Sequence, residues 1–144
     1  MPRILGTNII AVLVAAIALF MTGFVFYGLL FAELWIGLWG FTPEKIAEME
    51  AAGSGGMAFG FLISLATAFF LSVALKKMGK TELMDAVKGA VFLWLGFAVP
   101  TMAYDTVYAA QPLMLLVLDS AHLLVGFVIA AAVLTFMDGV AVKD

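Results

Sequence analysis

The only histidine of the chain, His122, follows Asp119 by three residues in one of the most apolar stretches of the sequence, VLDSAHLLVG. Residues three apart lie on the same face of a helix, one turn above each other. An ionisable side chain that faces lipid is costly, so such a pair is expected to face the interior of a helix bundle. Gly126 and Ala130 continue the same face and suit the close approach of a neighbouring helix. The sequence therefore predicts a buried polar site made by Asp119 and His122.

Three functions remain open for this pair. In a small transporter or channel, Asp119 and His122 would hold a proton or a cation in a wet cavity. In a structural or accessory subunit of a membrane complex, they would hydrogen-bond to other helices and set how the bundle or oligomer assembles. In the third interpretation, His122 is the axial ligand of a haem or chlorin. The sequence does not assign a cofactor among these alternatives.

The sequence contains few of the residues needed for a metal site, a catalytic nucleophile or nucleic-acid binding. With no cysteine and one histidine, the sequence predicts no metal site and no thiol nucleophile. Ser120 is a poor nucleophile for His122 because side chains two residues apart on a helix point to different sides. The few cations form no basic patch of the kind that binds nucleic acid. We therefore expect neither an enzyme nor a nucleic-acid-binding protein.

The elements that must position the pair are transmembrane helices. Of the 144 residues, 65% are hydrophobic and 12% are charged, whereas a soluble domain is roughly half apolar and a quarter charged. Four stretches have the length needed to cross a bilayer, at about residues 4–31, 57–75, 86–108 and 112–137. The predicted fold is all-α, a four-helix transmembrane bundle forming one integral membrane domain over residues 1–144. Its expected partners are the lipid bilayer and a second copy or larger membrane complex.

The positive charges predict the orientation of the bundle. Lys and Arg in short loops remain preferentially in the cytoplasm. The first loop has one cation, Lys45, among three glutamates, and the other cations all belong to the opposite side. These are Arg3, Lys76, Lys77, Lys80, Lys88 and Lys143. Both termini are therefore predicted to be cytoplasmic, in a bacterial inner membrane.

Aromatic residues mark the expected membrane interfaces. In AELWIGLWGFTPEKI, after the first span, Trp35 and Trp39 lie four apart on one helical face, which predicts a short helix at the interface. Thr42, followed by proline, predicts the start of a further short helix. Tyr104 and Tyr108, at the end of the third span, are typical of the headgroup belt. The two tryptophans and two tyrosines are predicted interfacial anchors.

Small residues predict where helices pack closely. The second span has one at every fourth position, and small residues let helices approach each other in lipid. The five positions are Gly56, Gly60, Ser64, Ala68 and Ser72. We expect Gly56, Gly60 and Ser64 of this stripe, together with Gly126 of the fourth span, to be helix-packing residues.

Four sequence blocks carry a family resemblance. They are NIIAVLVAAIALFMTGFVFYGLLFAELWIGLWGFTPEKI, SGGMAFGFLISL, FLWLGFAVPTM and LDSAHLLVGFVIAAAVL, in this order. Together they resemble the bacterial membrane-protein family called domain of unknown function 1761, from end to end. The resemblance implies a four-helix membrane fold and brings no established activity. Because that family usually has asparagine at the position of Asp119, proton exchange by this carboxylate would be particular to this chain.

Overall fold

Four helical spans form the protein in the computed structural model, which describes residues 2–138. Each span is long and apolar enough to cross a membrane. Their bounds are Ile9–Leu30, Ser54–Lys77, Leu83–Tyr108 and Leu113–Asp138. The all-α fold with four spans and a short helical segment after the first is confirmed. Lys143, one of the cations that predict the orientation, lies outside the described residues.

A small β-hairpin precedes the first span, which therefore begins later than the predicted residue 4. Strand β1 (Arg3–Ile4) pairs antiparallel with strand β2 (Thr7–Asn8). The two turn residues, Leu5 and Gly6, have positive φ angles of 51° and 76°, as a type I′ turn requires. The Asn8 side chain then accepts a hydrogen bond from the backbone N–H of Ile10 at 3.0 Å and caps the helix that follows.

The first span changes its helical geometry before it ends. Helix α1 (Ile9–Phe24) continues into a π-helical segment (Val25–Leu30), and Phe31 then bends the chain into helix α2 (Ala32–Trp39). Gly40 ends α2 in the left-handed conformation that glycine adopts without a steric penalty. The short helix predicted after the first span is thus α2.

Helix α3 (Pro43–Ala52) follows the predicted N-cap. The Thr42 side chain accepts a hydrogen bond from the backbone N–H of Lys45 at 3.2 Å. The pKa of Glu44 lies below its usual value because hydrogen bonds from its own backbone N–H and from Thr42 stabilise the carboxylate. The connection between the first two spans is therefore an ordered pair of short helices.

The three remaining spans begin and end within a few residues of the predicted positions. Helix α4 (Ser54–Lys77) and helix α7 (Leu113–Asp138) are continuous. The third span consists of α5 (Leu83–Leu93), a second π-helical segment (Trp94–Ala98) and α6 (Val99–Tyr108). This π-helical segment ends just before Pro100, which has no N–H to donate to the helical ladder.

Small side chains hold the centre of the bundle together. Helix α1 packs against both α4 and α7, and α5 packs against α7. The fully buried alanines of this core are Ala11, Ala15, Ala16, Ala68, Ala86, Ala90, Ala130 and Ala131. At Gly126 a Cβ atom would lie 2.9 Å from Cδ2 of Leu19, too close for any side chain without a shift. Gly126 is buried where α7 packs against α1, and a larger residue there would require the Leu19 side chain to move.

Candidate functional site: an aromatic cavity around His122

Asp119 is bound by a residue of the first span. The hydroxyl of Tyr27, in the first π-helical segment, donates a hydrogen bond to Oδ1 of Asp119 at 2.5 Å. The two residues are 92 positions apart in the chain. The side chain of Asp119 therefore points into the bundle, where it joins α7 to the end of the first span.

The same tyrosine joins Asp119 to His122. The His122 ring lies edge-on to the Tyr27 ring, with the ring centroids 4.9 Å apart, and 5.6 Å from the ring of Phe26. Its Nε2 atom lies only 3.3 Å from where a Cβ on Gly23 would be, so the glycine leaves room for the imidazole. No side chain or backbone group between residues 2 and 138 hydrogen-bonds to this ring. The two predicted site residues thus meet through Tyr27, by its hydroxyl and its ring.

A cavity of about 590 Å³ lies beside His122, between the first span, α2, α4 and α7. Besides His122, the aromatic and polar side chains on its wall are Phe20, Phe24, Tyr27, Trp35, Ser64 and Thr67. The hydroxyls of Ser64 and Thr67 already donate to carbonyls of their own helix. Met57 and Ile63, which also line the cavity, are 58% and 69% exposed, so the cavity opens on the side of the bundle.

Helix α2 brings its two tryptophans back towards the site. The Trp35 ring lies 5.2 Å from that of Tyr27 and lines the cavity. Trp39 contacts Trp35 edge-on and stacks on Phe41, with ring planes within 5°. Trp35 is therefore part of the wall of the site, a role that its expected place as an interfacial anchor did not indicate.

The second π-helical segment contacts α7 at Ser120, the residue that follows Asp119. The indole Nε1 of Trp94 donates a hydrogen bond to the backbone carbonyl of Ser120 at 2.9 Å. Each π-helical segment therefore provides one aromatic donor, Tyr27 or Trp94, to adjacent positions of α7. Such segments are frequent at functional sites because they re-aim side chains within an otherwise regular helix.

The small-residue stripe of α4 divides into two parts. Ala68 and Ser72 are buried against the bundle. A Cβ on Gly60 would meet Phe20 at an ordinary 3.5 Å, and Ser64 is partly buried. Gly56 is exposed, and a Cβ there would meet nothing within 4 Å, so no helix of residues 2–138 packs closely on this position, and its role in helix packing stays a prediction. The second span leaves the bundle at this end, where its small residues border the cavity.

A second polar group, which we call the ionic cluster, lies at the opposite end of α7 and consists of Arg3, Lys76 and Asp138. Arg3 Nη1 lies 2.9 Å from Asp138 Oδ1, and Lys76 Nζ lies 2.5 Å from Oδ2. The backbone N–H of Asn8 also donates to Oδ2, at 3.2 Å. The Asp138 side chain is only 4% exposed, and the cluster fixes the hairpin to α4 and α7.

The predicted anchors of the third span lie apart from both polar groups. Tyr104 and Tyr108 are 62% and 80% exposed, and their rings stack on each other with centroids 5.6 Å apart. Their contact with lipid headgroups stays a prediction.

Tyr27 is the site residue that the sequence analysis missed, although a tyrosine between Gly23 and Gly28 in an apolar span was a visible signal.

Comparison with known proteins places most of the chain in one family. A family model described as "Protein of unknown function (DUF1761)" matches residues 10–135, which include all four spans except their outermost residues. No curated protein and no solved structure matches the chain. Within residues 2–138, no group of three or more metal-ligating side chains comes together.

Proposed function

The chain belongs to the DUF1761 family of proteins of unknown function, and we propose that it binds a lipid-soluble small molecule between its membrane spans. The observation that carries this proposal is the cavity beside His122. Its volume of about 590 Å³ falls within the roughly 300–1,000 Å³ of small-molecule sites, which are mostly apolar with a few polar groups. The wall of this cavity has that character.

His122 provides the polar contact for the ligand. A neutral imidazole has one donor and one acceptor nitrogen, and no described residue hydrogen-bonds to this ring. The Tyr27 hydroxyl, in contrast, is already engaged with Asp119. We therefore expect a ligand with a hydroxyl or carbonyl oxygen on an aromatic or aliphatic body, which would pack against Tyr27 and Trp35.

Entry from the lipid phase fits the position of the opening. Met57 and Ile63, on the wall of the cavity, belong to the exposed surface of a span, and that surface faces acyl chains when the span crosses a bilayer. A molecule dissolved in the bilayer then reaches the cavity without leaving the apolar phase.

An ion pathway is a weaker proposal for this geometry. The hydroxyls of Ser64 and Thr67 are satisfied by their own helix and offer no free donor to an ion's hydration shell. Between the cavity and the ionic cluster the core is built of buried alanines and leucines and one valine, with no chain of polar side chains through the described residues. The structural interpretation fits Asp119 better, because Tyr27 and Trp94 bind α7 side by side. Asp119 would then position Tyr27, and His122 would contact the ligand.

The proposal is tested by filling the cavity. Gly56→Leu places an isobutyl group into the cavity from a position where a Cβ meets nothing. Gly55→Leu is the matched control, since Gly55 is the preceding residue of α4, is equally unobstructed and does not line the cavity. Protein purified in a mild detergent is analysed by native mass spectrometry, and the released molecules are identified. We expect wild type and Gly55→Leu to retain the same lipid-soluble molecule and Gly56→Leu to lose it.

Two results would decide against or refine the proposal. Equal retention by Gly56→Leu and wild type, or no retained molecule in either, would contradict binding in this cavity. Haem or chlorin bands in the visible spectrum that disappear in His122→Leu would identify the ligand as a tetrapyrrole. The same native spectra give the copy number, which tests the expected homo-oligomer.

A further inference from the structure

A second cavity, of about 510 Å³, lies at the ionic cluster and is independent of the first. It is bounded by the β-hairpin, the end of α4, the connection to α5 and the end of α7. Three cationic side chains from different parts of the chain line it: Arg3, Lys76 and Lys80. The two carboxylates on its wall belong to Asp138 and Glu82, so positive charge is in excess.

These charges are not all neutralised within the protein. Asp138 is shared by Arg3 and Lys76. No carboxylate of residues 2–138 lies within ion-pair distance of the third cation, Lys80. Arg3 and Lys76 keep about a third of their side-chain surface exposed, which leaves N–H donors free to contact a ligand in the cavity. Among the described residues, Lys80 therefore has no carboxylate partner, whereas Arg3 and Lys76 share Asp138 and each also donate to the Gly6 carbonyl.

Packing of its aliphatic side-chain carbons and a backbone hydrogen bond hold Lys80 in place. Its Cγ lies 3.2 Å from where a Cβ on Gly89 would be, so the absence of a side chain on α5 makes space for it. The backbone N–H of Lys80 donates to the carbonyl of Leu75 at 2.8 Å, which fixes the turn after α4. A partly buried, ordered lysine loses less conformational entropy on binding an anion than a free surface lysine does. Thr81, the next residue, adds a hydroxyl to the same wall.

We propose that this cavity binds a phosphate group. Phosphate has several acceptor oxygens and a negative charge. Donors that converge from three segments of the chain can therefore contact a phosphate group from several sides, whereas a carboxylate ligand has only two oxygens to offer them. The cavity lies at the ends of α4 and α7, the level at which the headgroups of a bilayer lie when these helices cross it. Basic pockets between membrane helices bind the phosphates of anionic lipids. Free phosphate shares this chemistry, and the experiment separates the two sources.

The test measures binding to purified full-length protein in a zwitterionic detergent by thermal shift and by native mass spectrometry. The probes are phosphatidylglycerol, phosphatidylcholine and inorganic phosphate. Lys80→Gln removes the charge and keeps the Cγ that packs beside Gly89. Lys77→Gln is the control, because Lys77 is exposed at the end of α4 and does not line the cavity. We expect phosphatidylglycerol to bind wild type and Lys77→Gln equally and Lys80→Gln about fivefold more weakly.

Each outcome decides between the sources or overturns the proposal. Binding of phosphatidylglycerol alone assigns the site to a lipid headgroup, and binding of inorganic phosphate with the same dependence on Lys80 assigns it to free phosphate. Phosphatidylcholine carries a phosphate but no net charge, so if it binds as well as phosphatidylglycerol and inorganic phosphate has no effect, the cations do not select a negatively charged ligand and the proposal is contradicted. Equal affinity of Lys80→Gln and Lys77→Gln for every probe also contradicts the proposal.

Discussion

Two aspartates on the same helix are used in opposite ways. Asp138, at the end of α7, contacts two cations and a backbone N–H and is almost completely buried. Asp119, roughly 28 Å away along the helix, accepts its hydrogen bond from the neutral hydroxyl of Tyr27. The first carboxylate closes the bundle by ionic contacts. The second orients a tyrosine beside an open, aromatic cavity.

The difference shows that the role of a carboxylate in a membrane bundle depends on whether its partners are cations or neutral groups. Cations compensate the charge of Asp138, so this end of the protein gains a fixed attachment between hairpin and helices. No cation of the described residues lies within ion-pair distance of Asp119, whose surroundings include the Tyr27 ring and a second carboxylate, Asp105, that acts on it electrostatically. We infer that Asp138 mainly stabilises the fold and that Asp119 mainly serves binding, through Tyr27.

The largest effect is expected at the ionic cluster. Asp138→Asn keeps the shape of the side chain but leaves Arg3 and Lys76 without a counter-charge. We expect a loss of about 2 kcal/mol of stability, less than the roughly 3–5 kcal/mol of a fully buried pair because both cations are about a third exposed. Unfolding in detergent measures this. The exposed Asp85, changed to Asn as a control, should shift stability by less than about 0.5 kcal/mol.

An intermediate effect is expected for Tyr27→Phe. It removes the donor to Asp119 and leaves a half-buried carboxylate without its partner, which should cost about 1 kcal/mol. It should also weaken ligand retention, because the ring beside His122 loses the bond that orients it. A variant that unfolds like wild type and retains as much ligand would show that the hydrogen bond does not position the site.

Asp119→Asn should have a smaller effect than Tyr27→Phe. The amide oxygen can still accept the Tyr27 hydrogen bond, and only its charge assistance is lost. In a double-mutant cycle with Tyr27→Phe, the two changes should therefore be non-additive. Strict additivity would mean that the two side chains act independently.

The smallest effect is expected for Trp94→Phe. It removes the indole donor to the Ser120 carbonyl but keeps an aromatic ring in the π-helical segment. A single hydrogen bond between membrane helices is worth about 0.6 kcal/mol, so we expect a small loss of stability in detergent and unchanged ligand retention. A loss of ligand in this variant would extend the site to the third span.

The sequence predicted the spans well because hydropathy over about 20 residues is a strong signal. It could not predict the hairpin before α1, since Ile4 and Leu5 prolong the apolar run although they belong to a strand and a turn. The π-helical segments were equally inaccessible, because one extra residue per turn leaves no trace in an apolar stretch.

The site was predicted in part for similar reasons. The spacing of Asp119 and His122 identified a polar pair on α7, but spacing within one helix says nothing about which residue of another helix reaches it. Tyr27 and Trp35 come from the first span and α2, and their contacts depend on the bend at Phe31. Asp138 was missed because a carboxylate at a helix end usually faces solvent.

Accessibility along α4 tests the central distinction, that the bundle is open beside His122 and closed in its alanine core. The chain has no cysteine, so single thiols can be introduced without background. Ser64→Cys places a thiol on the cavity wall, and Ala68→Cys places one a helical turn further on, where the native side chain is fully buried.

The decisive measurement is the rate at which membrane-permeant N-ethylmaleimide alkylates each thiol, before and after detergent exchange that strips bound molecules. We expect Ser64→Cys to react at least about tenfold faster than Ala68→Cys, and faster still once the ligand is removed, because an open cavity admits the reagent and the ligand competes with it. Equal rates for the two thiols, unchanged by stripping, would contradict the account.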